Sequence, residues 1–166
     1  DLVDEFVTAS NARSLIPADT DVVIDAIDQA LVKATIVALA VMRQQAVVVC
    51  GAAGARTDPL ALTQADLART TGDPLLARVR AILRRKHGFT RTPKQRFRVP
   101  AIFSTELSSG RAPVAQSQLN RGDLPQSQLA CAGYGSVVTV TSVMGMAAAA
   151  ATISIIGAGE GAVLGR

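Results

Sequence analysis

The chain has few aromatic residues: four Phe, one Tyr and no Trp among 166 positions, 3% of the whole. Without large rings, the core must rest on Val, Ile, Leu and Ala, within a hydrophobic content of 49%. That composition suits a parallel α/β sheet, whose strands are covered on both faces and read as aliphatic runs. Cysteine is equally scarce. Cys50 and Cys131 sit among small or apolar residues and make neither a disulfide framework nor a zinc pattern, which points to reduced thiols and a cytoplasmic protein without zinc. A single histidine, His87, excludes a His-dependent triad or a His-rich metal site. The opening residues DLVDEF are acidic where a secretory leader needs positive charge. A chain of this length builds one ordinary core.

Acidic residues are absent from one long stretch. Between Arg78 and Arg98 lie nine Lys and Arg and no Asp or Glu, whereas the rest of the chain sets eight bases against thirteen acids. The net charge of +4 therefore hides a mildly acidic body carrying one basic block. Uninterrupted positive charge along a helix and an arm is an electrostatic footprint for a polyanion. Its members are Arg80, Arg84, Arg85, Lys86, Arg91, Lys94, Arg96 and Arg98, with Arg78 at the front. Contact with an RNA backbone is expected rather than base reading, since only Phe89 and Phe97 offer stacking surface there. The plainer reading is a solvated helix face.

Along the chain, Val22-Val23-Ile24 reads as a buried strand. Helical spacing of Leu31, Thr35, Ala38, Leu39 and Met42 places a helix over Gln29–Arg43, and AVVVC (Ala46–Cys50) reads as a second strand. Strand, helix and strand form a βαβ unit. Residues Leu2–Thr8 are a candidate for an earlier strand, and Thr63–Ala68 for one turn of helix. Asp73-Pro74 is a helix start, with Asp at the N-cap and Pro at the first helical position, and Gly88 ends that helix. Thr90–Arg98 reads as a mobile basic arm, Ala101–Ser104 as a strand and residues 108–128 as an exposed loop. Val137–Gly159 carries no charge over 23 positions. It is long enough for a membrane span, which needs about 20 apolar residues. A small-residue helix in the core, preceded by a Val/Thr strand, explains it equally well. ISIIGAGEGA resembles a dinucleotide-binding turn but lacks the third glycine of the motif.

Several stretches together resemble the ThiF/MoeB/HesA activating-enzyme superfamily. VVIDAIDQALVK (Val22–Lys33) is a strand ending in Asp-x-x-Asp and running into a helix. GAAGARTDP with its downstream DLARTTGDPL, FSTE at Phe103–Glu106 and CAGYG at Cys131–Gly135 narrow the match to the branch that dehydrates threonylcarbamoyladenosine in tRNA. The resemblance implies an incomplete Rossmann-like (ThiF/MoeB-type) α/β fold. A partial nucleotide-binding layer would span residues 1–57, and residues 58–166 would form the carboxy-terminal half of the same domain.

It also implies ATP and a divalent metal such as Mg2+ as cofactors, tRNA as partner and a homodimer. The chemistry would be adenylation of a carboxylate, followed by ring closure with net loss of water. By the resemblance, Asp28 falls beside phosphates and metal and is the catalytic candidate, with Asp25 and Lys33 as further cofactor-binding candidates. The plain alternatives are that Asp28 caps the helix and that Asp25 is structural. Cys131 aligns with a family cysteine and reads as auxiliary. The Gly-rich phosphate loop of the family is not among these residues, and Gln29 and Lys33 stand where ThiF and MoeB carry Asn and Arg. A non-catalytic RNA-binding scaffold and an activator of a ubiquitin-like sulfur carrier, with a sulfur-transfer protein as partner, are the competing function classes.

Overall fold

A computed structural model describes residues 2–92, 94–106 and 135–158. Its centre is AVVVC, strand β2 (Ala46–Cys50), in which all five residues are buried. β-Branched side chains pack well on a pleated surface covered on both faces. β2 pairs in parallel with β1 (Val22–Asp25) on one side and with β4 (Pro100–Ser104) on the other. Strand β3 (Leu62–Asp66) closes the far edge, antiparallel to β4, giving the order β1-β2-β4-β3. The sheet is thus mixed rather than wholly parallel. It runs unbroken across residue 57, because β4 lies directly beside β2.

The alternation of side chains divides the core in two. Val47, Val49, Ala101 and Phe103 face α2 (Ala30–Met42) and α3 (Pro74–Lys86), where Ala34, Val37, Leu76, Val79 and Leu83 pack. Val48, Cys50 and Ile102 face α4 (Val138–Ala158), which meets them with Met144, Ala148 and Ala151. A short helix, α1 (Ala12–Leu15), sits against α2 through Ala12.

Five expectations need correction. Leu2–Thr8 is no strand; it leads into α1, with the Asn11 side chain accepting the Thr8 N–H and donating to the Phe6 carbonyl. Thr63–Ala68 is not helical: it lies mostly in β3, whose Thr63 and Gln64 are exposed at the sheet edge, and only then makes a 3-10 turn at Leu67–Arg69. An edge strand with polar residues on its open side has too weak an alternation to be read. Helix α2 forms as expected but on another face. Val32, Lys33, Ile36 and Val37 are buried while Leu31 and Met42 are exposed, because the helix is apolar nearly all round and spacing cannot select a side.

The Val/Thr strand before α4 does not exist, since the helix starts at Val138. Its hydroxyls bond back into the helix: Thr141 Oγ1 to the Val138 carbonyl (3.2 Å), Thr152 to Ala148 and Ser154 to Ala150 (both 2.9 Å). Finally, α4 is no fully buried core helix. It is the one described helix long and apolar enough to cross a membrane, yet it packs on the sheet along the seam Val140, Met144, Ala148 and Ala151 and leaves Val138, Met146 and Ile153 exposed. The Gly-rich segment resembling a dinucleotide turn is helical through Ala158.

Candidate functional site

Because β1, β2 and β4 are mutually parallel, their carboxyl ends open on one edge of the sheet, the edge where open α/β sheets bind ligands. Two of the connections that emerge there build the candidate site. The first, residues 26–29, carries Asp28, which is half-buried. The N-cap of α2 is Gln29, with no side-chain cap bond, and Asp28 precedes it. Asp25, at the end of β1, is 2% exposed and accepts the Ile27 N–H through Oδ1 at 2.9 Å. The same oxygen and the Asp25 carbonyl accept from Lys33 Nζ, each at 2.9 Å, and both side chains of this ion pair are sealed from solvent. Removing one partner of such a pair typically costs about 3–5 kcal/mol, because the other is left charged and buried. Asp25 and Lys33 are thus committed to each other, and only Asp28 of the three candidates reaches a partly open surface.

The second connection is the loop Gly51–Asp58, and three segments that carry the resemblance converge on it. Asp73 is buried. Its Oδ1 caps α3 by accepting the Leu76 N–H, and its Oδ2 accepts the Ala52 N–H, both at 2.8 Å. Gly51 permits that approach: a Cβ there would lie 2.2 Å from Asp73 Oδ2 and 2.9 Å from Phe103 Cβ. Arg56, 1% exposed, donates to the Gly72 carbonyl at 3.0 Å, while its Nε and Nη1 have no partner among the described residues. Glu106 accepts the Thr57 and Asp58 N–H groups (2.9 and 3.0 Å) and the Thr57 hydroxyl (3.0 Å). Those amides hold the Glu106 carboxyl below the ordinary glutamate range. Ala55 is left-handed at φ 60°, and its N–H reaches the Gly135 carbonyl at 3.3 Å. The motifs were legible as separate words; that they clasp one loop was not, since their contacts span up to 80 positions.

Beneath the loop, the Cys50 thiol is pushed up by burial, an effect that Lys33 opposes and Asp25 reinforces, so it is no ready nucleophile.

The basic block stands apart from that edge, on α3 and the segment that leads to the amino end of β4. Arg85, Lys86, Arg91, Lys94, Arg96 and Arg98 are exposed, as is His87 at the C-cap of α3. Arg80 and Arg84 are only partly exposed. Arg80 is half-buried and donates to the Thr70 hydroxyl; burial foremost, and then the Arg84 charge, lower its pKa against the pull of Asp73. Arg84 donates to the Thr90 carbonyl (3.2 Å) and lies 5.4 Å over the Phe97 ring. Phe97 is buried and meets Phe89 edge-on at 4.9 Å, so neither ring is the open stacking platform expected from sequence. Asp66 accepts the Phe97 and Arg98 N–H groups at 2.9 and 2.7 Å, which ties the arm to β3. Cys131 and the loop 108–128 lie outside the described residues.

No group of three or more His, Cys, Asp or Glu side chains is placed to cage a metal among the described residues. Mg2+ commonly takes one or two carboxylates and leaves its other positions to phosphates and water. Asp28 fits that partial role.

No protein-family model matches the chain. An open sheet with these exits, in this connectivity, is that of the Rossmann-like ThiF/MoeB-type activating enzymes. Within that class, sequence and fold both match tRNA threonylcarbamoyladenosine dehydratases. The Haemophilus influenzae enzyme of that name is 34% identical over 153 residues, which are 92% of this chain and 56% of that protein. Its Escherichia coli counterpart is 32% identical over 151 residues, again 56% of its length. The Escherichia coli tRNA N6-threonylcarbamoyladenosine dehydratase solved in complex with ATP has a TM-score of 0.73 at 29% identity, covering 93% of this chain and 56% of that one. The same enzyme in complex with AMP gives 0.72 at 31% identity. The chain thus spans about half the length of the relatives it matches.

Proposed function

We propose that the protein carrying this chain is an ATP-dependent tRNA-modifying enzyme, which adenylates the carboxylate of threonylcarbamoyladenosine and closes it to a ring with net loss of water. The observation that supports this most is the place of Asp28. It stands half-buried at the carboxyl edge of β1, beside the amino end of α2, in a fold that matches an enzyme solved with ATP and with AMP. In this reading Asp28 would hold Mg2+, which would supply charge neutralisation on the phosphates, and the chemistry depends on positioning more than on proton transfer. The carboxylate oxygen attacks the α-phosphorus, pyrophosphate leaves, and an internal nucleophile then displaces AMP.

Arg85, Lys86, Arg91, Lys94, Arg96 and Arg98 hold the tRNA backbone, with Arg80 and Arg84 shaping the surface that carries them. Two copies of the protein associate, as the resemblance implies. The cofactor roles of Asp25 and Lys33 are indirect. An auxiliary role for Cys131 and a sulfur-transfer partner stay with the resemblance alone, and the seam of α4 on the sheet favours a covering helix over a membrane anchor.

The test is the conversion of threonylcarbamoyladenosine-bearing tRNA by the protein as encoded, with ATP and Mg2+. A product nucleoside lighter by one water, absent without ATP, is expected. A second reading, an RNA-binding scaffold without turnover, draws on the exposure of the basic block. It predicts tRNA binding with no ATP binding.

A further inference from the structure

The turn that carries Asp28 is held by a charged pair which the chemistry above does not use. We propose that Lys33 and Asp25 are positioning residues: their buried ion pair locks residues 25–28 so that Asp28 is presented to the nucleotide, and neither side chain touches it. The inference rests on the reading of Asp28 just given.

Two observations carry it. Lys33 Nζ places two N–H donors on one residue, the carbonyl and Oδ1 of Asp25, both at 2.9 Å. That ties the first turn of α2 to the last residue of β1. The same Oδ1 accepts the Ile27 N–H, so the carboxylate held by Lys33 also folds the chain back on its way to Asp28.

Burial sharpens the argument. Both side chains are sealed from solvent, where a buried ion pair is a poor source of stability beside apolar groups of equal volume. Charge-assisted hydrogen bonds are, however, short and directional. An apolar pair would fill the space and leave the turn free; the ion pair fixes where it points. Asp25 Oδ2 has no partner among the described residues, so the pair is held through a single carboxylate oxygen.

The test compares Asp25→Asn/Lys33→Met, Lys33→Arg and Asp28→Asn with the parent, in the protein as encoded. The first is neutral and near-isosteric, and Lys33→Gln replaces it should it not fold. Two quantities are read: the Kd for Mg·ATP and the hydrogen-exchange rate of the Ile27 and Asp28 amides. The neutral pair is expected to weaken Mg·ATP binding by about 10- to 100-fold, the usual cost of losing a supporting partner. Its turn amides should exchange about tenfold faster. Lys33→Arg, which keeps the charge and the donors, should restore both. Unchanged affinity or unchanged exchange in the neutral pair, with Asp28→Asn weakened, overturns the positioning role alone. Unchanged affinity in Asp28→Asn removes the functional reading itself, and the positioning role with it.

Discussion

Two charged regions of this molecule do opposite work. Around the β1 and β2 exits, Asp25, Lys33, Arg56 and Asp73 are almost wholly buried. Along 78–98, most of the cations stand in water. Charge inside a fold must be paired or hydrogen-bonded, so it dictates geometry. Charge on the surface costs little to place and is available to a partner. The first region explains how the site is built, the second what the site is brought to.

That contrast predicts unequal responses to mutation. The largest should come from Lys33→Met, which strands a buried Asp25 carboxylate; a loss of about 3–5 kcal/mol is expected in urea denaturation. A loss under about 1 kcal/mol would place the pair near solvent. Asp73→Ala removes a helix cap and leaves the Ala52 N–H without its acceptor. Cap and buried donor together should cost about 2–3 kcal/mol, read from the same midpoint shift.

Smaller in stability, but decisive for the second region, is the joint replacement of Arg85, Lys86, Arg91 and Arg96 by Ala. Each exposed site should change stability by no more than about 0.5 kcal/mol. The slope of log affinity for tRNA against log salt should nevertheless fall by about 1 for each phosphate no longer neutralised. An unaltered slope would return the block to a merely solvated face.

The smallest effect concerns Glu106. Its carboxyl is depressed in the folded state by the Thr57 and Asp58 amides. The clasp is therefore present above the unfolded glutamate range and is lost as pH falls through the lower folded value. Exchange of the Thr57 and Asp58 amides should accelerate only in that acidic window, and Glu106→Gln should flatten the pH dependence.

How far the sequence alone reached follows the same division. The βαβ unit was legible because AVVVC and the helix after Asp-x-x-Asp are strongly patterned, and Asp73-Pro74 announced α3 through capping chemistry. β3 was not, since an edge strand with exposed Thr63 and Gln64 has little hydrophobic signature. Lys33 on an apolar helix gave no sign of its partner, because pairing with Asp25 depends on which face the helix buries. The basic block was plain as a charge run. That Arg84 and Phe97 belong to its foundation rather than its surface needed the fold.

The most direct measurement is the ATP-dependent conversion of threonylcarbamoyladenosine-bearing tRNA by the protein as encoded and by its Asp28→Asn variant. The account predicts a product lighter by one water in the first, and a rate lower by about 100-fold or more in the second. Equal rates in the two proteins would contradict it.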